Sequence, residues 1–221
     1  MAKPVKPEPK FFLVDPLYEK GLDYYARTWF ADAGTAPVAG EKSTDYLESG
    51  VAAERIARDL PRAKLVFILR EPVERAHSNY LWTKMNGLET EDFATALRLE
   101  AQRERELPER LRFARPYSYF SRGLYADLLQ PYLDRFSRDQ ILVLRFEDII
   151  TTPRRLAETL HGFLGVEKRP DEVDGLGVVN PSERTGGGEL SDEVRRELTA
   201  RYDGPNRRLA SLLGPQFEMW P

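Results

Sequence analysis

Leu65-Val66-Phe67-Ile68-Leu69 is an unbroken apolar run, and Arg70-Glu71-Pro72 follows it at once. A short apolar run bounded by charge reads as a strand covered on both faces, as in a parallel sheet. Pro72 suits the first position of a helix, where its missing N–H costs nothing. A helix starting there carries Ser78 on its second turn. A strand-end guanidinium, a hydroxyl donor and the positive end of a helix dipole then converge on one spot, which suits a phosphate. The carboxyl edge of such a strand is also where open α/β sheets bind ligands.

The flanking segments repeat this alternation. Gly21 to Phe30 reads as a short helix rich in aromatics, Ala31 to Pro37 as a loop, and Val38-Ala39-Gly40 as a short strand leading into Glu41-Lys42. Val51 to Leu60 has apolar residues at 52, 53, 56, 57 and 60, a helical stripe closed by Pro61. Leu124, Leu128, Leu129, Tyr132, Leu133 and Phe136 form an amphipathic helix leading to a strand at 141–144. Thr152-Pro153 opens another helix with Gly165 as its stop. Asp171 to Gly188 is glycine-rich and reads as a mobile loop; Ser191 caps a last helix through Tyr202, and Pro205 to Leu213 packs the end. Without repeats or a linker, the expectation is one domain over residues 1–221, α/β with a parallel sheet.

Composition removes several function classes. With no cysteine, the chain has no disulfide, no thiolate nucleophile and no cysteine metal site. His77 and His161 lie far apart, each among helix neighbours, so no metal is expected. The formal net charge of −3 offers no general attraction to nucleic acid or anionic membrane. No apolar run approaches the ~18 residues of a membrane span, so a cytoplasmic setting is the default expectation. Arginine supplies 25 of the 33 basic residues, which favours bidentate anion contacts. Gly34 to Ser43 superficially looks like a nucleoside triphosphate loop, but its spacing, Gly-x5-Gly-x-Lys-Ser, is wrong and no amphipathic helix follows correctly. The charge-dense stretch Thr90 to Arg115 reads as a solvated helix and loop. Its alternative role is a rim where Arg103, Arg105, Arg110, Arg112 and Arg115 meet an anionic acceptor.

Arg70-x-Pro72-x-x-Arg75-x-x-Ser78-x-Tyr80 resembles the 3′-phosphate-binding segment of sulfotransferases that use 3′-phosphoadenosine 5′-phosphosulfate (PAPS), most closely the heparan sulfate branch and its bacterial relatives. Further segments follow the family's order. They are Glu8-Pro9-Lys10-Phe11-Phe12 with Tyr18-x-x-Gly21-Leu22-x-x-Tyr25, Glu41-Lys42-Ser43-x-x-Tyr46, Ser121-Arg122-Gly123-Leu124-Tyr125, Arg145-Phe146-Glu147-Asp148 and Phe163-Leu164-Gly165. The resemblance spans roughly residues 6 to 214 and implies a P-loop-like three-layer fold, a central parallel sheet flanked by helices. It also implies a strand and a Lys-x-Gly-Thr-Thr type loop ahead of the Glu8 segment. Only Met1 to Lys6 stand there, so the expectation is a gap in the sheet.

The resemblance implies roles. Glu8 is the candidate base, Lys42 the candidate stabiliser of the moving sulfuryl group, and Arg70 with Ser78 the holders of the 3′-phosphate. Arg184, Thr185 and Gly186 align with a loop that closes over the nucleotide, though that stretch departs in detail from the family's Lys-Gly-Arg. Glu41 is an alternative base, but on a strand its side chain would face away from that of Lys42. Arg75 and Tyr80 are expected to hold the helix rather than touch ligand. The implied activity is sulfuryl transfer from PAPS to a hydroxyl or amine of a saccharide, lipid or small metabolite. The rivals are a non-catalytic relative that binds a nucleotide or partner protein, and a P-loop-type kinase.

Overall fold

The computed structural model describes residues 8–108, 114–169 and 189–220. Its sheet pairs β1 (Leu65–Leu69) with β2 (Ile141–Arg145) in parallel, in register from Leu65↔Ile141 to Leu69↔Arg145. The two strands bond directly to each other. The helices are α1 (Asp15–Tyr18), α2 (Gly21–Trp29), α3 (Gly50–Asp59), α4 (Pro72–Met85), α5 (Phe93–Glu106), α6 (Tyr125–Leu133), α7 (Asp148–Thr151), α8 (Pro153–Leu164) and α9 (Asp192–Leu213). The fold is thus α/β with a parallel sheet, and α4 rises directly from the end of β1.

Two apolar clusters organise it. Phe67 and Leu69 of β1 pack with Ala52, Ala53 and Ile56 of α3, Leu129 and Tyr132 of α6, and Leu209 and Leu213 of α9. A second cluster joins Val73, Ala76 and Tyr80 of α4, Phe93 and Leu97 of α5, Tyr119, and Val194, Leu198 and Tyr202 of α9. Glu89 is buried beside the second cluster, where it accepts from the Tyr119 hydroxyl at 2.7 Å and pairs with Arg103 at 2.6 Å. Burial alone would raise its pKa; these donors and the Glu91 amide outweigh that and hold it low.

Three expectations are corrected. β1 is not covered on both faces along its length: Ile68 is 48% exposed. Val38-Ala39-Gly40 is not a strand. Side chains anchor that region instead, with the Lys10 amide donating to Ser43 Oγ and the Phe12 amide to Tyr46 Oη. The last helix does not stop at Tyr202 but runs through Pro205 to Leu213. An interior proline costs about 3 kcal/mol. Burying Leu209 and Leu213 in the first cluster offsets this at about 1.5–3 kcal/mol each. The glycine-rich stretch of residues 171–188 lies outside the described residues.

Gly123 sets the approach of α9. A Cβ there would sit 2.5 Å from Tyr202 Oη and 2.7 Å from two of its ring carbons. The ring cannot yield easily: it stacks on Phe120 at 4.6 Å, and its hydroxyl donates to the Phe120 carbonyl at 2.8 Å. Gly123→Ala is expected to cost about 1–3 kcal/mol by overpacking. A lowered urea midpoint at unchanged m-value reads this directly.

Candidate functional site

Glu8 and Lys42, 34 positions apart, meet. Lys42 Nζ donates to Glu8 Oε1 at 2.7 Å. Thr44 adds its hydroxyl to the same oxygen at 2.7 Å and its backbone N–H to Oε2 at 3.2 Å. Partial burial would raise the Glu8 pKa, but Lys42 and the two Thr44 donors outweigh it, so the carboxylate stays ionised below its usual range. The Lys42 side chain remains 80% exposed, open to an incoming anion.

Glu41 faces elsewhere, accepting from Tyr25 Oη at 3.4 Å and Ser43 Oγ at 2.9 Å. Burial drives its pKa up, the neighbouring Glu8 charge adds to this, and hydrogen bonds from Ser43, Tyr46 and Tyr25 oppose it. Two nearby carboxylates therefore have their pKa values moved in opposite directions. This is the usual sign of separate roles.

Arg70 follows the last rung of β1. The Phe146 amide donates to the Leu69 carbonyl at 2.7 Å, and the Arg70 guanidinium lies 5.5 Å over the Phe146 ring. Among the described residues this guanidinium makes no hydrogen bond, and it has one ion pair, to Glu74 at 4.0 Å. The half-buried Ser78 hydroxyl likewise has no hydrogen-bond partner among the described residues. The amino end of α4 differs from the sequence-based expectation. Glu71 caps it, accepting from the Val73 and Glu74 amides at 3.0 and 2.7 Å. The first-turn amides are thus not free for a phosphate.

A polar chain joins the two halves. Next to Thr44, Asp45 pairs with Lys10 at 2.6 Å and with Arg122 at 3.1 Å. Arg122, its side chain 14% exposed, also meets Glu48 at 2.6 Å and donates to Asn79 Oδ1 at 3.3 Å and the Ala114 carbonyl at 3.3 Å. Asn79 adjoins Ser78, so Arg122 spans from the Glu8 turn to the anion helix. Thr44, Asp45, Arg122 and Asn79 were missed as site residues. The signal available was Arg122 itself, a charge inside the Ser-Arg-Gly-Leu-Tyr segment.

Other expected residues resolve plainly. Arg75 donates to the Tyr119 carbonyl and Tyr80 to the Glu91 carbonyl, so both hold α4 in place. Arg103 and Arg115 do not form an acceptor rim: Glu89 takes the first, Glu48 and Glu104 the second. Arg110, Arg112, Arg184, Thr185 and Gly186 lie outside the described residues. His77 packs against Phe93, and His161 Nδ1 accepts from the Arg169 amide. Among the described residues no group of acidic or histidine side chains is arranged to hold a metal ion, and no helix is long and apolar enough to cross a membrane.

A profile of the sulfotransferase domain matches residues 47–176. The chain belongs to the sulfotransferase family. Arg70, Ser78 and Arg122 fall inside the matched span; Glu8 and Lys42 precede it. The bifunctional heparan sulfate N-deacetylase/N-sulfotransferase 1 of Xenopus laevis is 32% identical over 159 residues, 70% of this chain and 17% of that protein. Carbohydrate sulfotransferase 15 of Mus musculus is 27% identical over 197 residues, 81% of this chain and 35% of that protein. The chain therefore corresponds to well under half the length of these relatives. The crystal structure of a sulfotransferase from Alicyclobacillus acidocaldarius superposes with a TM-score of 0.70 at 28% identity, covering 98% of this chain and 85% of that one. This match fixes the fold as P-loop-like α/β.

Arg122→Ala leaves Asp45 to Lys10 and Glu48 to Arg115, so it is expected to destabilise by less than the about 3–5 kcal/mol of a buried charge left with no partner. Arg122→Lys, which keeps the charge but loses the fork, is expected to recover part of that in urea unfolding.

Proposed function

We propose that this chain moves a sulfuryl group from PAPS to a hydroxyl or amine, with a saccharide as the favoured acceptor class. The observation that carries the reading is the Glu8–Lys42 pair: a carboxylate base and a cation in contact at 2.7 Å, beside the loop that Arg122 ties to α4. PAPS supplies the sulfuryl group and leaves as adenosine 3′,5′-bisphosphate. The residues fit such a donor, since Arg70 and Ser78 both carry hydrogen-bond donors unspent within the described structure.

Each residue then has one task. Glu8 takes the acceptor's proton as the acceptor atom bonds to sulfur; the bond from sulfur to the phosphate oxygen breaks, and its electron pair stays with the phosphate. Oε2 is the oxygen for this, because it holds a single contact at 3.2 Å while Oε1 holds two at 2.7 Å. Lys42 offsets charge on the sulfuryl oxygens and the leaving phosphate. Arg70 and Ser78 hold the 3′-phosphate, and Arg184, Thr185 and Gly186 are assigned to closing over the nucleotide. Glu41 is the more buried of the two, with both oxygens engaged by hydroxyls, and is less open to an acceptor than Glu8. The saccharide preference rests on relatives whose names state heparan sulfate and carbohydrate sulfotransfer.

Glu8→Gln should lower kcat by ~10²–10⁴ while leaving the affinity for adenosine 3′,5′-bisphosphate unchanged in calorimetry. Arg70→Ala should weaken that affinity about tenfold or more, since a charged hydrogen bond contributes ~1.5–3 kcal/mol. Tight binding without turnover would favour the non-catalytic relative, and no binding at all would remove the donor assignment.

The pH profile supplies a separate check. Because Glu8 titrates low, it remains a competent base as pH falls, and the acid limb of kcat/KM should lie below the ordinary carboxylate range. Lys42→Met removes a partner of the ionised form. It should shift that limb to higher pH, with residual activity or NMR titration of Glu8 as the readout.

A further inference from the structure

Arg70 stands among carboxylates, yet its guanidinium makes no hydrogen bond among the described residues and has only a 4.0 Å ion pair there. Each of these carboxylates is engaged elsewhere. Glu71 is committed to the α4 amides. Glu147 accepts from the Glu71 N–H at 2.9 Å and from Trp220 Nε1 at 2.8 Å. Glu74 is the critical case: one turn along α4 from Arg70, it could fold back onto the guanidinium and neutralise it.

It is pulled the other way. Arg195, on the first turn of α9, meets Glu74 Oε1 at 2.6 Å, while Arg70 reaches Glu74 Oε2 at 4.0 Å. Coulomb attraction falls with distance and hydrogen bonding fails at the longer one, so the carboxylate is held chiefly by Arg195. We propose that Arg195 is a positioning residue of the donor site, holding Glu74 so that the Arg70 guanidinium stays open to the 3′-phosphate. The proposal rests on the PAPS reading given above.

Without Arg195, Glu74 turns to Arg70 and competes with the incoming phosphate. The effect is modest, because Arg195 and Glu74 are 46% and 37% exposed and such pairs are weak in water.

The test is calorimetric titration of the full chain with adenosine 3′,5′-bisphosphate. Arg195→Ala is expected to weaken binding about two- to fivefold. Glu74→Gln is expected to bind at least as tightly as the unaltered chain, and Arg195→Ala with Glu74→Gln to return to the Glu74→Gln value. That rescue is the deciding readout, since loss of a direct phosphate contact or of local folding would persist in the double variant. An unchanged affinity in Arg195→Ala, or a double variant as weak as Arg195→Ala, overturns the inference while leaving the donor site intact. Failure of the unaltered chain to bind the nucleotide overturns the donor reading and this inference with it.

Discussion

The fold places the Arg122 guanidinium where little water can reach. A buried cation is tolerated only when partners surround it. Here they come from separate segments: Asp45 and Glu48 from the turn after Lys42, Asn79 from α4, and the Ala114 carbonyl from the loop after α5. Satisfying one side chain therefore fixes where the Glu8 turn stands relative to Ser78. The next residue adds another constraint, because Gly123 lets Tyr202 close in and draws α9 onto the same turn. Parts of the site that belong to no common element are positioned by this one short segment.

How much of this was legible in the sequence depended on the range of the interaction. β1, α4, α3 and α8 announce themselves through local signals: an unbroken apolar run, Pro72, a helical stripe, and Gly165 with its left-handed φ of 78°. The course of α9 through Pro205 was not legible, because a proline signal is local while the burial of Leu209 and Leu213 that overrides it is tertiary. Val38 to Gly40 has strand-like composition, but composition cannot supply a neighbouring strand. The meeting of Glu8 with Lys42 came from family resemblance alone. Arg122 and Asp45 are 77 positions apart, and no periodicity connects such residues.

Ionisation in the Glu8 region has a consistent logic. Lys42 and Thr44 bring three donors to Glu8, whereas Glu41 receives hydroxyls and is buried among Tyr25, Ser43 and Tyr46. A charged Glu41 would repel the Glu8 carboxylate and draw Lys42 toward itself. Burial and the Glu8 charge raise its pKa, while hydroxyl donors from Ser43, Tyr46 and Tyr25 oppose the rise. The tyrosines add no charge of their own: burial raises the pKa of Tyr25 first, with Glu41 contributing, and does the same for Tyr46. An environment built from hydroxyls thus lets two carboxylates sit close with their pKa values moved in opposite directions.

The amino end of α4 shows how anion binding can be separated from the helix dipole. Glu71 already occupies the first-turn amides, so an arriving phosphate gains nothing there unless it displaces a well-placed carboxylate. On the proposed reading, recognition then falls to two groups that make no hydrogen bond among the described residues, the Arg70 guanidinium and the Ser78 hydroxyl. Backbone amides would accept any anion of suitable size. In that reading, a guanidinium after β1 and a hydroxyl on the second turn of α4 ask in addition for a particular fit between anion and ligand body, and that fit is a property of the nucleotide rather than of its charge.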